Sequence, residues 1–226
     1  MNELYTNNLA KEWIDWVENS NTKGAREKEI FPFIKKWVKK VNAHILLDLG
    51  CGQGDCSRFI NSNVSYIGLD SSTILINRAK ELYSSKNKKF ILGNIYNIPL
   101  KNNSVNSIIS IWVWSHLKDL KLAAREMYNV LKPQGHFLII TASPDTYKER
   151  KSWYKKYFIN GNLLTGTMDL GNNLYLSDTT LYLHTKKEIE KSLTDAGFII
   201  NKISKMGQAK SSNKGLYIVI EGYKAL

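Results

Sequence analysis

Apolar residues along this chain follow two different spacings, and the change between them separates helices from strands. Before residue 45 the spacing is helical: Leu9, Trp13 and Trp16 share one face, and a second apolar face follows Pro32. After that point, short apolar runs bounded by glycine and polar residues predict strands at 45–49, 64–70, 89–94, 136–141, 198–203 and 216–223. Helical segments lie between most of these runs, so the pattern predicts one α/β domain preceded by two helices.

The segment 143–184 breaks this order. It holds seven of the chain's 25 aromatic residues, mixed with lysines and Gly-Asn turns, and its last part predicts two short strands around Ser177 and Asp178. A helix then begins after Thr185, where Glu188 completes a capping box. We expect a single domain over residues 1–226 with four parts: a helical pair at 1–44, a core at 45–142, an insertion at 143–184, and a C-terminal helix with strands at 185–226.

Three glycines follow the first strand at alternate positions, in the stretch ILLDLGCGQGD. Gly50, Gly52 and Gly54 lack the Cβ atoms that would hold a ligand away from the backbone, and they permit a tight strand-to-helix turn. The residues from Asp55 onward can begin a helix whose unpaired N–H groups point back at this loop, so we expect a nucleotide-like ligand. The dinucleotide fingerprint G-x-G-x-x-G is broken, because Asp55 stands where its third glycine belongs. NAD is therefore expected to bind negligibly.

This glycine loop resembles motif I of the class I S-adenosylmethionine-dependent methyltransferases, which is an acid and a spacer followed by G-x-G-x-G. The matching residues are Asp48, Leu49, Gly50, Cys51, Gly52, Gln53 and Gly54. The resemblance covers roughly residues 45–142 and 185–226. It implies a Rossmann-like, doubly wound α/β fold with a seven-stranded, mostly parallel sheet, helices on both faces and an antiparallel last strand. It also implies S-adenosylmethionine as the cofactor and no metal.

Asp70 ends the second predicted strand, twenty residues after Gly50. In an α/β unit the second parallel strand ends beside the first, so a carboxylate there reaches the ribose of a ligand lying across both strand ends. Asp70, with Ser71 next to it, is therefore predicted to bind the ribose hydroxyls. The alternative is that Asp70 caps the helix that follows, and one carboxylate has enough lone pairs to do both.

The family resemblance alone suggests further cofactor contacts. Where relatives carry a Gly-Asp pair and an apolar residue against the adenine, this chain has Asn94 and Ile95, and asparagine retains a carbonyl acceptor. The backbone carbonyls of Ser110 and Ile111 correspond to those that meet the cofactor's ammonium group. Members that act on small molecules often have an N-terminal helical pair folding over the cofactor, so residues 1–44 are expected to form a helical lid. Arg26 corresponds to an arginine of that pair that meets the methionyl carboxylate in some members. An exposed arginine near a helix start is the alternative for Arg26.

The segment 103–117 resembles the family's fourth strand and its exit loop, and this loop and the insertion supply the candidate substrate residues. Trp112, Trp114 and His116 are expected at the carboxyl ends of the strands, where open α/β sheets keep their sites. His116 is the candidate general base, and the alternative is a helix-start residue satisfied by backbone. For the tryptophans the alternative is core packing. An insertion after the fifth strand commonly caps the substrate in this family, so Tyr147 and Trp153 are further candidates, unless the segment is a surface excursion.

Composition narrows the classes of function. Only two cysteines occur, Cys51 and Cys56, too few for a disulfide framework or a four-cysteine zinc site. No apolar run approaches the length of a membrane span and the N-terminus lacks the order of a secretory signal, so we expect a cytoplasmic protein with no membrane partner. The net charge of +12 is spread along the chain, and only five of the 32 basic residues are arginines. This favours a lysine-rich surface over a nucleic-acid footprint.

We therefore expect methyl transfer from S-adenosylmethionine to a small or medium-sized organic acceptor by in-line displacement. Two alternatives stay open. An RNA methyltransferase is favoured by the net charge, but it is disfavoured by the even spread of that charge. The chain also lacks an Asp/Asn-Pro-Pro-aromatic motif after the fourth strand. A cofactor-binding module without catalysis, acting through a partner, is the second alternative.

Overall fold

The computed structural model describes residues 7–19, 26–142, 154–171, 173–207 and 217–226. Within these ranges the strands are β1 (Ile45–Leu49), β2 (Ser65–Asp70), β3 (Lys88–Leu92), β4 (Val105–Ile111), β5 (Leu131–Ala142), β6 (Tyr154–Asn160), β7 (Leu163–Gly171), β8 (Leu174–Tyr182), β9 (Phe198–Met206) and β10 (Tyr217–Lys224). The α-helices are α1 (Asn7–Asn19), α2 (Phe31–Lys40), α3 (Thr73–Tyr83), α4 (Leu120–Val130) and α5 (Lys186–Asp195). Shorter helices are a π-helix at Arg26–Ile30 and 3₁₀ helices at Asp55–Phe59 and Trp114–His116.

Seven of these strands form one sheet in the order β3-β2-β1-β4-β5-β10-β9. Strand β1 pairs in parallel with β2 and β4, and parallel pairing continues to β3 on one side and β5 on the other. Strand β10 is antiparallel to both of its neighbours. The predicted seven-stranded, mostly parallel sheet with an antiparallel last strand is confirmed. The strand order reverses between β1 and β4, which is where open α/β sheets bind ligands.

Each face of this sheet has its own apolar core, because successive side chains of a strand point to opposite faces. Leu47 and Leu49 of β1 belong to a cluster with α4 and α5, whereas Leu46 belongs to a cluster with α2 and α3. Helices therefore cover both faces, as predicted. Truncating a fully buried leucine such as Leu47 to alanine in such a core typically costs about 2–5 kcal/mol.

The insertion after β5 forms a separate three-stranded antiparallel sheet in the order β6-β7-β8. Strand β8 is continuous over nine residues, so the expectation of two short strands around Ser177 and Asp178 is wrong. Asp178 has a φ of 51°, and the register with β7 shifts beside it. The strand thus continues past Ser177 and Asp178 with a β-bulge, although this residue pair is typical of turns.

Two helix starts differ from the sequence-based expectation: the helix after the glycine loop and helix α3. The residues after the glycine loop form only the short 3₁₀ helix Asp55–Phe59, not a longer α-helix. Helix α3 is capped by Ser72, whose side chain accepts from the N–H of Leu75 at 3.4 Å. The capping box of Thr185 and Glu188 on α5 is confirmed.

Among the described residues, no helix combines the length and the apolar composition that a membrane-spanning helix needs.

Candidate active site at the carboxyl ends of the strands

The glycine loop leaves the carboxyl end of β1 in a conformation that favours glycine. Gly50, Gly52 and Gly54 have φ values of 75°, 57° and 86°. A Cβ added at Gly50 would lie 2.2 Å from a methyl carbon of Val113, and one at Gly54 would lie 2.8 Å from the ring of Phe90. These two glycines therefore let the loop pack against the protein itself.

Gly52 is the glycine that leaves the backbone open to a ligand. Among the described residues, only Trp13 Nε1 lies within 4 Å of a Cβ added at Gly52, at an ordinary contact distance of 3.7 Å. This refines the expectation that all three glycines clear space for a ligand. Only one does so, and Trp13 of α1 lies over it.

Asp70 is held at the carboxyl end of β2 by backbone donors. Its Oδ2 accepts from the N–H of Gly52 at 2.9 Å, and its Oδ1 accepts from the N–H of Ser72 at 3.0 Å. Burial raises the pKa of Asp70, while the hydrogen bonds from the backbone of Ser72, Gly52 and Ser71 oppose that shift. Asp70 does not cap α3, because Ser72 does. These three backbone donors use three of the four carboxylate lone pairs, so one is left to accept from a neighbouring hydroxyl.

Asp48, the acid of the motif, lies buried beneath the loop. Its Oδ2 accepts from the hydroxyl of Tyr66 at 2.5 Å, and its Oδ1 has no hydrogen-bond partner among the described residues. Burial raises the pKa of Asp48 to about 7; the Tyr66 hydrogen bond opposes the rise and the nearby Asp70 adds to it. Burial also raises the pKa of the Cys51 and Cys56 thiols well above the usual range. Both cysteines are therefore buried neutral thiols beside the loop.

The remaining predicted cofactor residues lie at the ends of β3 and β4. Ser110 is buried and its hydroxyl donates to the carbonyl of Leu49 at 3.1 Å, which fixes β4 against the start of the glycine loop. Ile111, the last residue of β4, is partly buried. The side-chain carbonyl of Asn94 accepts from the N–H of Tyr96 at 2.9 Å, and Ile95 is buried in the core.

Arg26 lies beside the glycine loop. Its guanidinium is 3.5 Å from Asp55 and about 5.3 Å from the ring centroids of both Trp13 and Trp16. The side chain is only 13% exposed, so the alternative of an exposed arginine is wrong. Burial lowers the pKa of Arg26 and the Asp55 carboxylate opposes the shift. Arginine keeps its charge in proteins, so Arg26 is a cation next to the loop whose charge is partly offset by the Asp55 carboxylate.

Helix α1 lies across the glycine loop and is held by polar contacts at two points. Glu12 accepts from the backbone N–H of Ser177 in β8 at 2.7 Å and from the hydroxyl of the same residue. Glu18 accepts from two nitrogens of Arg78 in α3 at 2.8 and 2.9 Å, and from the side-chain amide of Gln53 at 3.4 Å. The helix thus connects the small sheet, α3 and the glycine loop.

Trp112 leaves the end of β4 with a φ of 60°, which is rare for a bulky residue. Its ring lies 6.5 Å from that of Trp13, edge to face, and 5.4 Å from that of Tyr217. Its Nε1 is buried and has no hydrogen-bond partner among the described residues. A strained backbone and a buried unpaired donor are both features that concentrate at functional sites.

Trp114 and His116 belong to the 3₁₀ helix that follows, and they differ in exposure. Trp114 is fully buried in the core cluster under α4, which favours the packing alternative for this residue. His116 is half-buried and hydrogen-bonds the backbone of Thr180 in β8. Burial lowers the pKa of His116 to about 4, so its imidazole is neutral near pH 7. The other two predicted substrate residues, Tyr147 and Trp153, lie outside the described residues.

Comparison with known proteins agrees with this geometry. Residues 47–139 match the family model of the methyltransferase domain. A demethylmenaquinone methyltransferase of Thermotoga maritima is 28% identical over 74% of this chain and 78% of its own length. One of Staphylococcus aureus is 26% identical over 96% and 95%. The matched domain, these relatives and the fold support a class I S-adenosylmethionine-dependent methyltransferase.

Solved structures share the fold of this methyltransferase. A protein of Pyrococcus horikoshii superposes with a TM-score of 0.72 at 20% identity, over 90% of this chain and 92% of that one. An S-adenosylmethionine-dependent methyltransferase of Clostridium acetobutylicum gives a TM-score of 0.72 at 16% identity, over 97% and 99%. At these identities the likeness concerns the fold, and the site must be argued from the residues of this chain.

The residues around the glycine loop fit S-adenosylmethionine, the cofactor of this methyltransferase. Gly52 leaves approachable backbone, Asp70 keeps a lone pair for a hydroxyl, and Arg26 offers positive charge to a carboxylate. The Oε1 of Gln53 is a buried acceptor with no hydrogen-bond partner among the described residues, and it could accept from an ammonium group. A zwitterionic ligand with a ribose matches this set of donors and acceptors.

Three residues that the structure brings to the glycine loop or to Trp112 were not among the predicted site residues: Trp13, Gln53 and Tyr217. The helical spacing of Trp13 predicts a packing face and the resemblance predicts a lid, but only the position of α1 shows that Trp13 lies beside Gly52. Gln53 stands at a position where the motif allows any residue, so only its place within the motif could have indicated a role in binding. Tyr217 meets Trp112 from a distant part of the chain, and no local pattern indicates that contact.

Proposed function

We propose that this methyltransferase transfers the methyl group of S-adenosylmethionine to a small or medium-sized organic acceptor. The acceptor would bind between α1, the loop from Trp112 to His116 and the three-stranded sheet. One observation carries the proposal: the ring of Trp13 lies beside Gly52 and also contacts the ring of Trp112. The cofactor loop and the predicted acceptor residues therefore share one aromatic wall, and an enclosed wall suits a small acceptor.

In this proposal the chain's own residues bind and orient both ligands. Asp70 would accept the ribose hydroxyls, with Ser71 beside it, and Arg26 would face the methionyl carboxylate. Backbone carbonyls of Ser110 and Ile111 would accept from the ammonium group. Asn94 and Ile95 would bound the adenine. When bound, the cofactor supplies an electrophilic methyl group on sulfur. The contribution of the protein is then chiefly the positioning of the acceptor atom in line with that group.

The aromatic side chains at the site support an acceptor with a flat ring. The ring of Trp112 lies within contact distance of the ring of Trp13 and also of the ring of Tyr217. Aromatic faces pack well against other rings. The two relatives compared above are named for methyl transfer to demethylmenaquinone, a quinone. We therefore propose a ring-bearing acceptor of the quinone or phenol class.

His116 is the proposed base for an acceptor whose proton must leave. Its imidazole is neutral near pH 7, which is the form able to accept a proton. A pKa of about 4 makes it a weak base, so it would serve an acidic acceptor such as a phenol better than an amine. This role is independent of the cofactor contacts.

The net charge of +12 favours RNA as a second candidate acceptor. The two candidates separate in one assay. The protein is incubated with methyl-labelled S-adenosylmethionine and either a pool of quinones and phenols or total RNA. We expect label in the small-molecule fraction. Label confined to RNA, lost as salt is raised, would overturn the proposal. Cofactor binding with no label transferred to either pool would point to the non-catalytic alternative.

The same assay tests the position of the acceptor. Trp112→Ala should abolish transfer and leave cofactor affinity nearly unchanged, because the glycine loop and Asp70 are untouched. Trp112→Phe retains a ring and serves as the matched control, with transfer partly retained. If Trp112→Ala instead loses cofactor binding but transfers normally at saturating cofactor, the acceptor binds elsewhere.

A further inference from the structure

The outer strand of the three-stranded sheet carries exposed apolar and basic side chains on both of its faces, because successive side chains alternate. We define the β6 surface as Lys155, Lys156, Tyr157, Phe158 and Ile159, all of which are exposed. Its last three members are 42%, 67% and 45% exposed in chain order. The strand contains no acidic residue. Adjacent exposed apolar side chains of this size mark an interaction surface more often than a face that meets only water.

Among the described residues, β6 has a strand neighbour on one side only. Strand β6 pairs with β7, and β8 on the far side of the small sheet contacts α1 through Ser177 and Glu12. The β6 surface is therefore the outer edge of the small sheet, away from the side that meets α1. An edge strand with large apolar side chains is a liability unless a partner covers it.

We propose that the β6 surface docks on an anionic membrane surface. Its aromatic and isoleucine side chains would lie in the headgroup region, where amphipathic and aromatic residues concentrate. Lys156 would face lipid phosphates, with Lys155, which donates to the hydroxyl of Tyr175, beside it. The charge is complementary, since the strand has two lysines and no acidic residue. The open edge of the strand would stay in the hydrated headgroup layer, where water and phosphates satisfy backbone groups.

Two other occupants fit the surface less well. Platforms for single-stranded nucleic acid stack bases on aromatic rings and add arginine, but Ile159 has no ring and β6, β7 and β8 contain no arginine. A second copy paired edge to edge would bring two lysines of each strand together, and lysine on an edge strand opposes such pairing. A lipid surface uses both the apolar and the basic members.

This contact departs from the expectation of no membrane partner, which rested on the absence of a spanning segment. It also goes beyond the proposed function, because it does not depend on which acceptor is methylated. A surface contact of this kind is reversible and depends on lipid charge.

Co-sedimentation of the full chain with vesicles tests the proposal. We expect binding to vesicles that contain phosphatidylglycerol and little binding to pure phosphatidylcholine. Phe158→Ser should lower the partition coefficient about tenfold through lost apolar burial. Lys156→Glu changes the charge by two units and should also lower it about tenfold or more. The matched controls are Leu92→Ser, a half-exposed leucine on β3, and Lys101→Glu, an exposed lysine; both should bind like the parent.

Several outcomes would overturn the proposal. One is no binding of the parent to anionic vesicles, and another is equal loss in the control variants. Retention on RNA that Phe158→Ser abolishes, without vesicle binding, would assign the surface to nucleic acid. A concentration-dependent dimer abolished by the same variant would assign it to a second copy. Thermal melting with and without S-adenosylmethionine checks that each variant is folded, and the two β6 variants test the surface independently.

Discussion

We expect Gly52 to control access of the cofactor to the backbone of the glycine loop, and Gly161 offers a matched control for it. The two glycines have nearly the same φ, 57° and 59°, but a Cβ at Gly161 would meet nothing within 4 Å. Valine at either position should cost about 1–2 kcal/mol of backbone strain. Only Gly52→Val should also weaken the binding of S-adenosylmethionine, by about tenfold or more, which is about 1.4 kcal/mol. Calorimetry on both variants decides this; equal affinities would remove Gly52 from the cofactor site.

Asp70 should contribute to cofactor affinity through its charge. Asp70→Ala removes the acceptor for the ribose hydroxyls, at a cost of about 1–3 kcal/mol in binding. Ser72→Ala, which removes the cap of α3, is the control: it should lower the free energy of unfolding by about 1 kcal/mol and leave affinity unchanged. The opposite result would be Asp70→Ala with the affinity of the parent and Ser72→Ala with weakened affinity. It would mean that cofactor binding depends on the stability of α3 and not on the Asp70 carboxylate.

Asp48 should make stability depend on pH. The carboxyl ionises near 3.8 when unperturbed, but in the folded protein its pKa is raised to about 7. Between these values the folded state holds a proton that the unfolded state has lost. The contribution of Asp48 to stability is therefore fully present below the lower value and is lost as pH rises through the upper one.

Asp48→Asn, which cannot ionise, should remove this pH dependence. Relative to the parent, its free energy of unfolding should rise with pH between about pH 5 and pH 7, by about 1.4 kcal/mol per unit at most. Urea unfolding at several pH values measures the difference. Asp195→Asn, exposed on α5, is the control for an aspartate change at the surface. Parallel curves for the parent and Asp48→Asn would show that Asp48 does not titrate in this range.

At the scale of elements, the sequence predicts what local pattern determines. Strands β1 and β2 are apolar runs ended by a glycine and an aspartate, and both lie within one residue of the predicted positions. The capping box on α5 is likewise local. Contacts between distant segments leave no such pattern: neither the bond from Glu12 to Ser177 nor the bulge at Asp178 can be derived from neighbouring residues. The family resemblance predicts a helical lid over the cofactor, but no local pattern indicates that Trp13 of α1 would be the residue beside Gly52.

Helix α1 should act as a cover whose closure supports cofactor binding. Arg78 pairs with Glu18 of α1 and with Glu81 of its own helix, at 2.8 Å in each case. Glu18→Ala breaks the link to α1, and Glu81→Ala removes a partner from the same arginine without touching α1. We expect Glu18→Ala to weaken cofactor binding about twofold to fivefold, as a surface ion pair allows. Glu81→Ala should leave it unchanged, and equal effects would show that the pair only stabilises α3.

At the scale of the whole molecule, two additions to the core sheet meet at its ligand-binding edge. One is α1, which precedes the sheet, and the other is the small sheet inserted after β5. They join through Glu12 and Ser177, over the strand ends that carry Gly52 and Asp70. The core binds the cofactor that the family shares, whereas the additions are where acceptor specificity is expected to lie.

The decisive experiment for the cofactor site is a calorimetric titration of the parent protein with S-adenosylmethionine, with NAD as the comparison ligand. We predict saturable binding of one S-adenosylmethionine per chain and negligible heat with NAD, because the carboxylate of Asp55 follows the glycine loop where a pyrophosphate would lie. Binding of NAD with comparable affinity, or no binding of S-adenosylmethionine by a folded sample, would contradict the assignment of the glycine loop and Asp70 to this cofactor.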